Sequence, residues 1–110
     1  METRGQSTVI KATVPMAEML AERLGASPAS VGTDRAIDVD DRFVGAGYGI
    51  PTPASADALE TVARREGIVL DPVYTAKAMA GLIARVRSAD FGRDQTILFW
   101  HTGGVPGVFA

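Results

Sequence analysis

Residues 96–100 read TILFW, a run with one hydroxyl and no charge. A strand with one wet face alternates apolar and polar residues. An unbroken apolar run of this length is expected of a strand covered on both faces. Such a strand requires layers above and below it, and the remaining sequence offers helices to provide them. Residues 8–14 (TVIKATV) are rich in β-branched residues and predict a second strand, and 36–39 (AIDV) predict a third, short one. Between these two, Pro15 opens a helical pattern in which Met16, Met19, Leu20 and Leu24 recur at spacings of three and four, and Gly25 stands where that helix would stop.

The second half of the chain is punctuated more sharply. Residues 43–53 (FVGAGYGIPTP) form a loop rich in glycine and proline. Ser55 is placed to cap the following helix, with Asp57 in its first turn, Ala56, Leu59, Val62 and Ala63 as its apolar face and Gly67 as its end. Asp71 and Pro72 then form a strong start signal for a third helix, buried along Met79, Leu82, Ile83 and Val86. A polar turn over 88–95 leads into the apolar strand. The order is strand, helix, strand, loop, helix, helix, strand. It predicts an α/β fold, a small, mostly parallel sheet flanked by helices, in one domain over residues 1–110.

Composition narrows the function classes. The formal charge is −2 and the sequence pI about 5.3, so no electrostatic grip on nucleic acid or an anionic membrane is expected. There is no cysteine and a single histidine, which leaves no disulfide framework and no His- or Cys-based metal site. No signal-peptide core or membrane-spanning run is apparent, and a cytoplasmic location is expected.

Three hydroxyl side chains stand at corners from which a ligand can be reached. Tyr74 lies in the first turn after Asp71-Pro72. The positive end of a helix favours a phenolate, so Tyr74 is a candidate acid/base group with a lowered pKa; from the residue alone, a ring packed on the surface with a wet hydroxyl is the other reading. Tyr48 is centred in GAGYG, where alternate glycines permit close backbone approach. That loop does not run from a strand into a helix start, so it is no dinucleotide motif. Thr102 follows the apolar strand, where ligands of α/β sheets gather, and it can equally be bonded locally in a glycine turn. Lys77, one turn beyond Tyr74, is expected to be a solvated or loop-bonding cation. His101 should point away from Thr102 in an extended segment.

The segments DPVYTAKAM at 71–79, GAGYGIPTP at 45–53 and HTGG at 101–104 resemble the C-terminal part of pyridoxal-phosphate enzymes of the D-cysteine desulfhydrase and aminocyclopropane-carboxylate deaminase family. The resemblance runs from Val9 to Phe109, motif by motif over 41–53 and 66–104 and in pattern only before residue 41. It implies a partial tryptophan synthase beta-like domain corresponding to the last third of such an enzyme. It implies pyridoxal phosphate as cofactor, a small amino acid as substrate, Tyr74 and Tyr48 as catalytic groups lining the substrate pocket, and Thr102 facing the pyridine nitrogen. Thr75 and Thr102 favour the desulfhydrase branch, which eliminates sulfide from D-cysteine to give pyruvate and ammonia. Ala76 stands where the family usually has glycine, which would narrow the pocket. The family's Schiff-base lysine and phosphate loop have no counterpart here, and neither Lys11 nor Lys77 matches the cofactor motif. The chain is therefore expected to be inactive alone, and to act with a complementing upstream fragment or as a homo-oligomer. A non-catalytic α/β remnant or subunit-interaction module is the alternative.

Overall fold

The computed structural model describes residues 15–27 and 38–104. The chain divides into two compact units, Met1–Asp41 and Arg42–Ala110. In the first, helix α1 spans 15–23. Gly25, at φ +73°, ends it in the left-handed conformation, with the Gly25 N–H donating to the Glu22 carbonyl and the Ala26 N–H to the Ala21 carbonyl. Ala21 is buried, while Met16, Met19, Leu20 and Leu24 are exposed among the described residues.

The second unit is built on two helices, α2 (Pro53–Glu66) and α3 (Thr75–Arg87). Thr52, rather than Ser55, caps α2. The Thr52 hydroxyl accepts from the Ser55 N–H at 3.0 Å, and the Ser55 hydroxyl accepts from the Thr52 N–H at 2.9 Å. Ser55 is thus the reciprocal half of a capping box, one turn inside the helix, with Pro53 in the first turn. Gly67, at φ +66°, closes α2 as the sequence predicts. Helix α3 begins at Thr75, after a turn over 72–74, and so later than Asp71-Pro72 implies.

The two helices pack on each other around Val62, Leu70 and Ala76, with Leu59, Met79 and Phe99 against that cluster. The buried face of α3 differs from the expected stripe. Ala76, Ala80 and Gly81 are buried, Met79, Leu82 and Ile83 only partly so, and Val86 is exposed. Small residues win the contact face because they let the neighbouring chain approach closely. At Gly81 a methyl would stand 3.2 Å from the Phe43 ring. Ala76 is fully buried in the core, so its methyl faces the packing rather than a pocket.

The expected sheet is overturned. Among the described residues there are three helices and no strand. The predicted strand at 8–14 lies outside the described residues, and of 36–39 the described part, Asp38 and Val39, is irregular. Residues 96–100 run without a ladder, and Leu98 and Trp100 are 80% and 77% exposed. A strand exists only through hydrogen bonds to a neighbour. No neighbouring strand lies beside this run among the described residues, so its composition is not expressed as a sheet.

Candidate functional site

The site is organised by the start of α3. The Asp71 carboxylate accepts from the N–H groups of Val73, Tyr74 and Thr75 at 2.9, 2.6 and 3.0 Å, and from the Thr75 hydroxyl at 2.6 Å. Thr75 returns the contact, its oxygen accepting from the Asp71 N–H at 2.7 Å. These bonds satisfy amides that a helix start would otherwise leave unpaired. Partial burial pushes the Asp71 pKa up. The bonds from the Thr75 hydroxyl and the three amides outweigh it and bring the carboxyl down to about 2.

With its backbone held in this way, Tyr74 projects its phenol outward. The Tyr48 and Tyr74 hydroxyls meet at 2.8 Å, and their rings stand edge to face with centroids 5.8 Å apart. The two residues are 26 positions apart in sequence, and both are largely exposed. The lowered pKa expected for Tyr74 is reversed. The hydrogen bond to Tyr48, slight desolvation and the negative charges of Tyr48 and Asp71 hold the phenol above its ordinary value. The helix end that would have favoured a phenolate is occupied by the Asp71 carboxylate. Tyr74 bears its proton at neutral pH, as any phenol does, and the shift makes it the weaker acid.

Tyr48 is carried by the glycine loop, and Lys77 holds that loop. Lys77 is buried, and its ammonium donates to the Val44 and Gly47 carbonyls at 2.6 and 3.1 Å. Of the two expectations for this cation, loop-bonding is realised and solvation is not. Sequence reasoning did not connect Lys77 to Tyr48. Spacing alone gave no signal, because the bond joins positions 30 and 33 residues apart.

Thr102 is exposed in the irregular segment 101–104. The structure brings together two of the three candidate hydroxyls. Among the described residues Thr102 makes no hydrogen bond to either tyrosine. His101 turns back onto the loop before α3, with Nε2 3.0 Å from the Val69 carbonyl. A carbonyl only accepts, so the bond requires the proton on Nε2. Gly104 is buried beside the same carbonyl, where any side chain would collide with it. His101 and Gly104 thus dock the segment carrying Thr102 onto residue 69. Among the described residues no cluster of His, Asp or Glu is arranged to hold a metal, and no helix is long and apolar enough to cross a membrane.

Two phenols thus meet beside a capped helix start, and Thr102 stands on a docked glycine turn without contact to them among the described residues. Residues 2–103 match the family of pyridoxal-phosphate dependent enzymes, and the chain belongs to that family. It is 50% identical over 70 residues to the D-cysteine desulfhydrase of Salmonella typhi, a match covering 64% of this chain and 21% of that protein. The D-cysteine desulfhydrases of Salmonella newport (strain SL254) and Salmonella heidelberg (strain SL476) match with the same identity and coverage. The chain thus corresponds to a minor part of these relatives' length.

Toward pyridoxal phosphate, the cofactor of this family, the described residues present only the exposed hydroxyls of Tyr48, Tyr74 and Thr102. They do not fit its covalent attachment. Lys77 is the lysine among the described residues, and its amine is buried and committed to two carbonyls.

Proposed function

We propose that this chain supplies the tyrosine edge of a pyridoxal-phosphate lyase that eliminates sulfide from D-cysteine, giving pyruvate and ammonia. The observation that carries the reading is the 2.8 Å contact between the Tyr48 and Tyr74 hydroxyls, in a chain similar to D-cysteine desulfhydrases. Pyridoxal phosphate, when bound, supplies an electron sink that labilises bonds at the α-carbon of an amino acid. The chain's own residues handle the proton at the sulfur. The two phenols carry two protons and use one in their mutual hydrogen bond. One O–H is left to donate, and a departing thiolate needs such a donor. Tyr74 bears its proton at neutral pH, as an ordinary phenol does, and its contact with Tyr48 holds that proton more firmly. Thr102 would lie toward the cofactor ring, and its exposure leaves its hydroxyl accessible.

Because Lys77 is committed elsewhere, the anchoring lysine and phosphate contacts would come from a different segment. The chain alone should therefore release no pyruvate from D-cysteine beyond what free pyridoxal phosphate releases. Supplied with the upstream part of a D-cysteine desulfhydrase, it should turn over. Tyr74→Phe should then lower kcat by roughly 10²-fold or more while the cofactor's absorbance is retained. Turnover by the chain alone, or unchanged kcat in Tyr74→Phe, would overturn the reading.

A further inference from the structure

We propose that Lys77 is a positioning residue for the tyrosine pair: its ammonium pins the backbone at Val44 and Gly47 to α3 and thereby holds the Tyr48 hydroxyl against Tyr74. Its consequence for catalysis rests on the functional reading above; its structural content does not.

Tyr48 is 79% exposed, so burial of its ring does not decide where its hydroxyl sits. Its position must come from the backbone that carries it. That backbone is intrinsically free to turn, because Gly45 and Gly49 on either side of Tyr48 both adopt positive φ, +75° and +72°. Glycine populates that region readily and leaves it as readily. A loop with two such pivots needs an external fastening to present one side chain in one place. Lys77 provides it, bonding the carbonyl of Gly47, immediately before Tyr48, and that of Val44, immediately before the first pivot. At Gly45 close packing against the Thr52 methyl leaves no room for a side chain, so this pivot has to be glycine.

The cost of the arrangement is informative. Lys77 is only 8% exposed, and an ammonium withdrawn from water loses hydration that two neutral carbonyls restore only in part. An apolar side chain of the same length would fill the space without that loss. What it would lack is the grip on two specific backbone atoms. Lys77 also stands three residues after Tyr74, on the same side of the helix. Helix α3 therefore grips the loop twice: through Lys77 at the backbone before Tyr48, and through Tyr74 at the Tyr48 hydroxyl. The first contact sets the geometry of the second. The groups facing the Tyr74 phenol are Tyr48 and Asp71. Asp71 is held by the helix start independently of the loop, so releasing Lys77 should remove Tyr48 alone from that environment.

The chain has only two tyrosines, so 13C labelling at the phenol carbon gives two resonances that Tyr48→Phe assigns. We would titrate both and record the contact between the rings by NMR on the 110-residue chain, with no cofactor or substrate present. Lys77→Met should keep the helical far-UV signal, lose most of the inter-ring contact, and bring the Tyr74 titration down to where Tyr48→Phe puts it. Lys77→Arg, which can still donate to two carbonyls, should restore both signals in part. If Lys77→Met loses its helices, Lys77→Gln takes its place, and an intermediate fall in the Tyr74 titration supports the proposal. A folded Lys77→Met or Lys77→Gln with the inter-ring contact and Tyr74 titration of the parent would overturn it. Failure of the lyase reading would show separately, as unchanged turnover in Tyr74→Phe.

Discussion

The starts of α2 and α3 solve one problem with different chemistry. Each leaves amides unpaired, and each recruits a side chain to meet them. At α2 the device is neutral and local: Thr52 and Ser55 exchange two hydrogen bonds across three residues. At α3 it is charged and larger: one carboxylate takes three amides and a hydroxyl, and the helix proper begins four residues later, at Thr75. The neutral cap only begins a helix. The charged cap also fixes the backbone of Tyr74 with its phenol outside the helix body, and its charge helps keep that phenol protonated.

The two starts share the core beneath them, and the largest effect should come from breaking it. Leu70, 1% exposed, precedes Asp71 and packs with Val62 of α2 and Ala76 of α3. Leu70→Ala should cost about 2–5 kcal/mol in urea titration followed by far-UV circular dichroism. A loss below about 1 kcal/mol would mean that the helices do not rely on a common core.

Asp71→Ala should come next, at about 2 kcal/mol, since it removes the acceptor of three amides and one partner of the buried Thr75 hydroxyl. Its sign with pH is distinctive. The folded carboxyl titrates at about 2, below the ordinary 3.8, so its contribution is complete above about pH 4 and is lost as pH falls toward 2. That contribution is about 1–2 kcal/mol after allowance for partial solvent exposure. Urea midpoints from pH 6 to pH 2 should therefore converge for the parent and Asp71→Ala at the acid end. Parallel curves would show that the carboxylate is not the cap.

Thr52→Ala should have the smallest effect, about 1 kcal/mol, with no such convergence in acid, because a hydroxyl does not titrate there. A pH-dependent difference at Thr52 would erase the distinction between the two starts.

These helices were legible because their signals lie within a few residues of one another. Gly25 and Gly67 as helix ends, Asp71 as a capping carboxylate and the helical periods are all short-range patterns. The error at Ser55 is of the same kind: a capping box contains two hydroxyl residues, and sequence order alone does not say which stands outside the helix. The stripe on α3 was misread for a longer-range reason. Periodicity favours the large side chains Met79, Leu82, Ile83 and Val86. The contact face instead went to Ala76, Ala80 and Gly81, because Phe43 and α2 come close enough to need small residues there. Tyr48 and Tyr74 were singled out by motif, but their contact at 2.8 Å was not in the sequence pattern.

By itself, the sequence determined which segments are helical in 53–87 and that Gly67 ends α2, because left-handed termination is settled by the chemistry of neighbouring residues, while both helix starts were read a few residues off. It also determined the family, through motifs that survive as strings. The tertiary structure alone decided that Lys77 is buried under the glycine loop, that Asp71 and Tyr48 reverse the expected direction of the Tyr74 pKa, and that TILFW stands without a sheet. Each of these depends on what lies across a gap of many residues. A cation finds its carbonyls, a phenol its partner and a strand its neighbour only when the chain has brought them together, and composition carries no record of that distance.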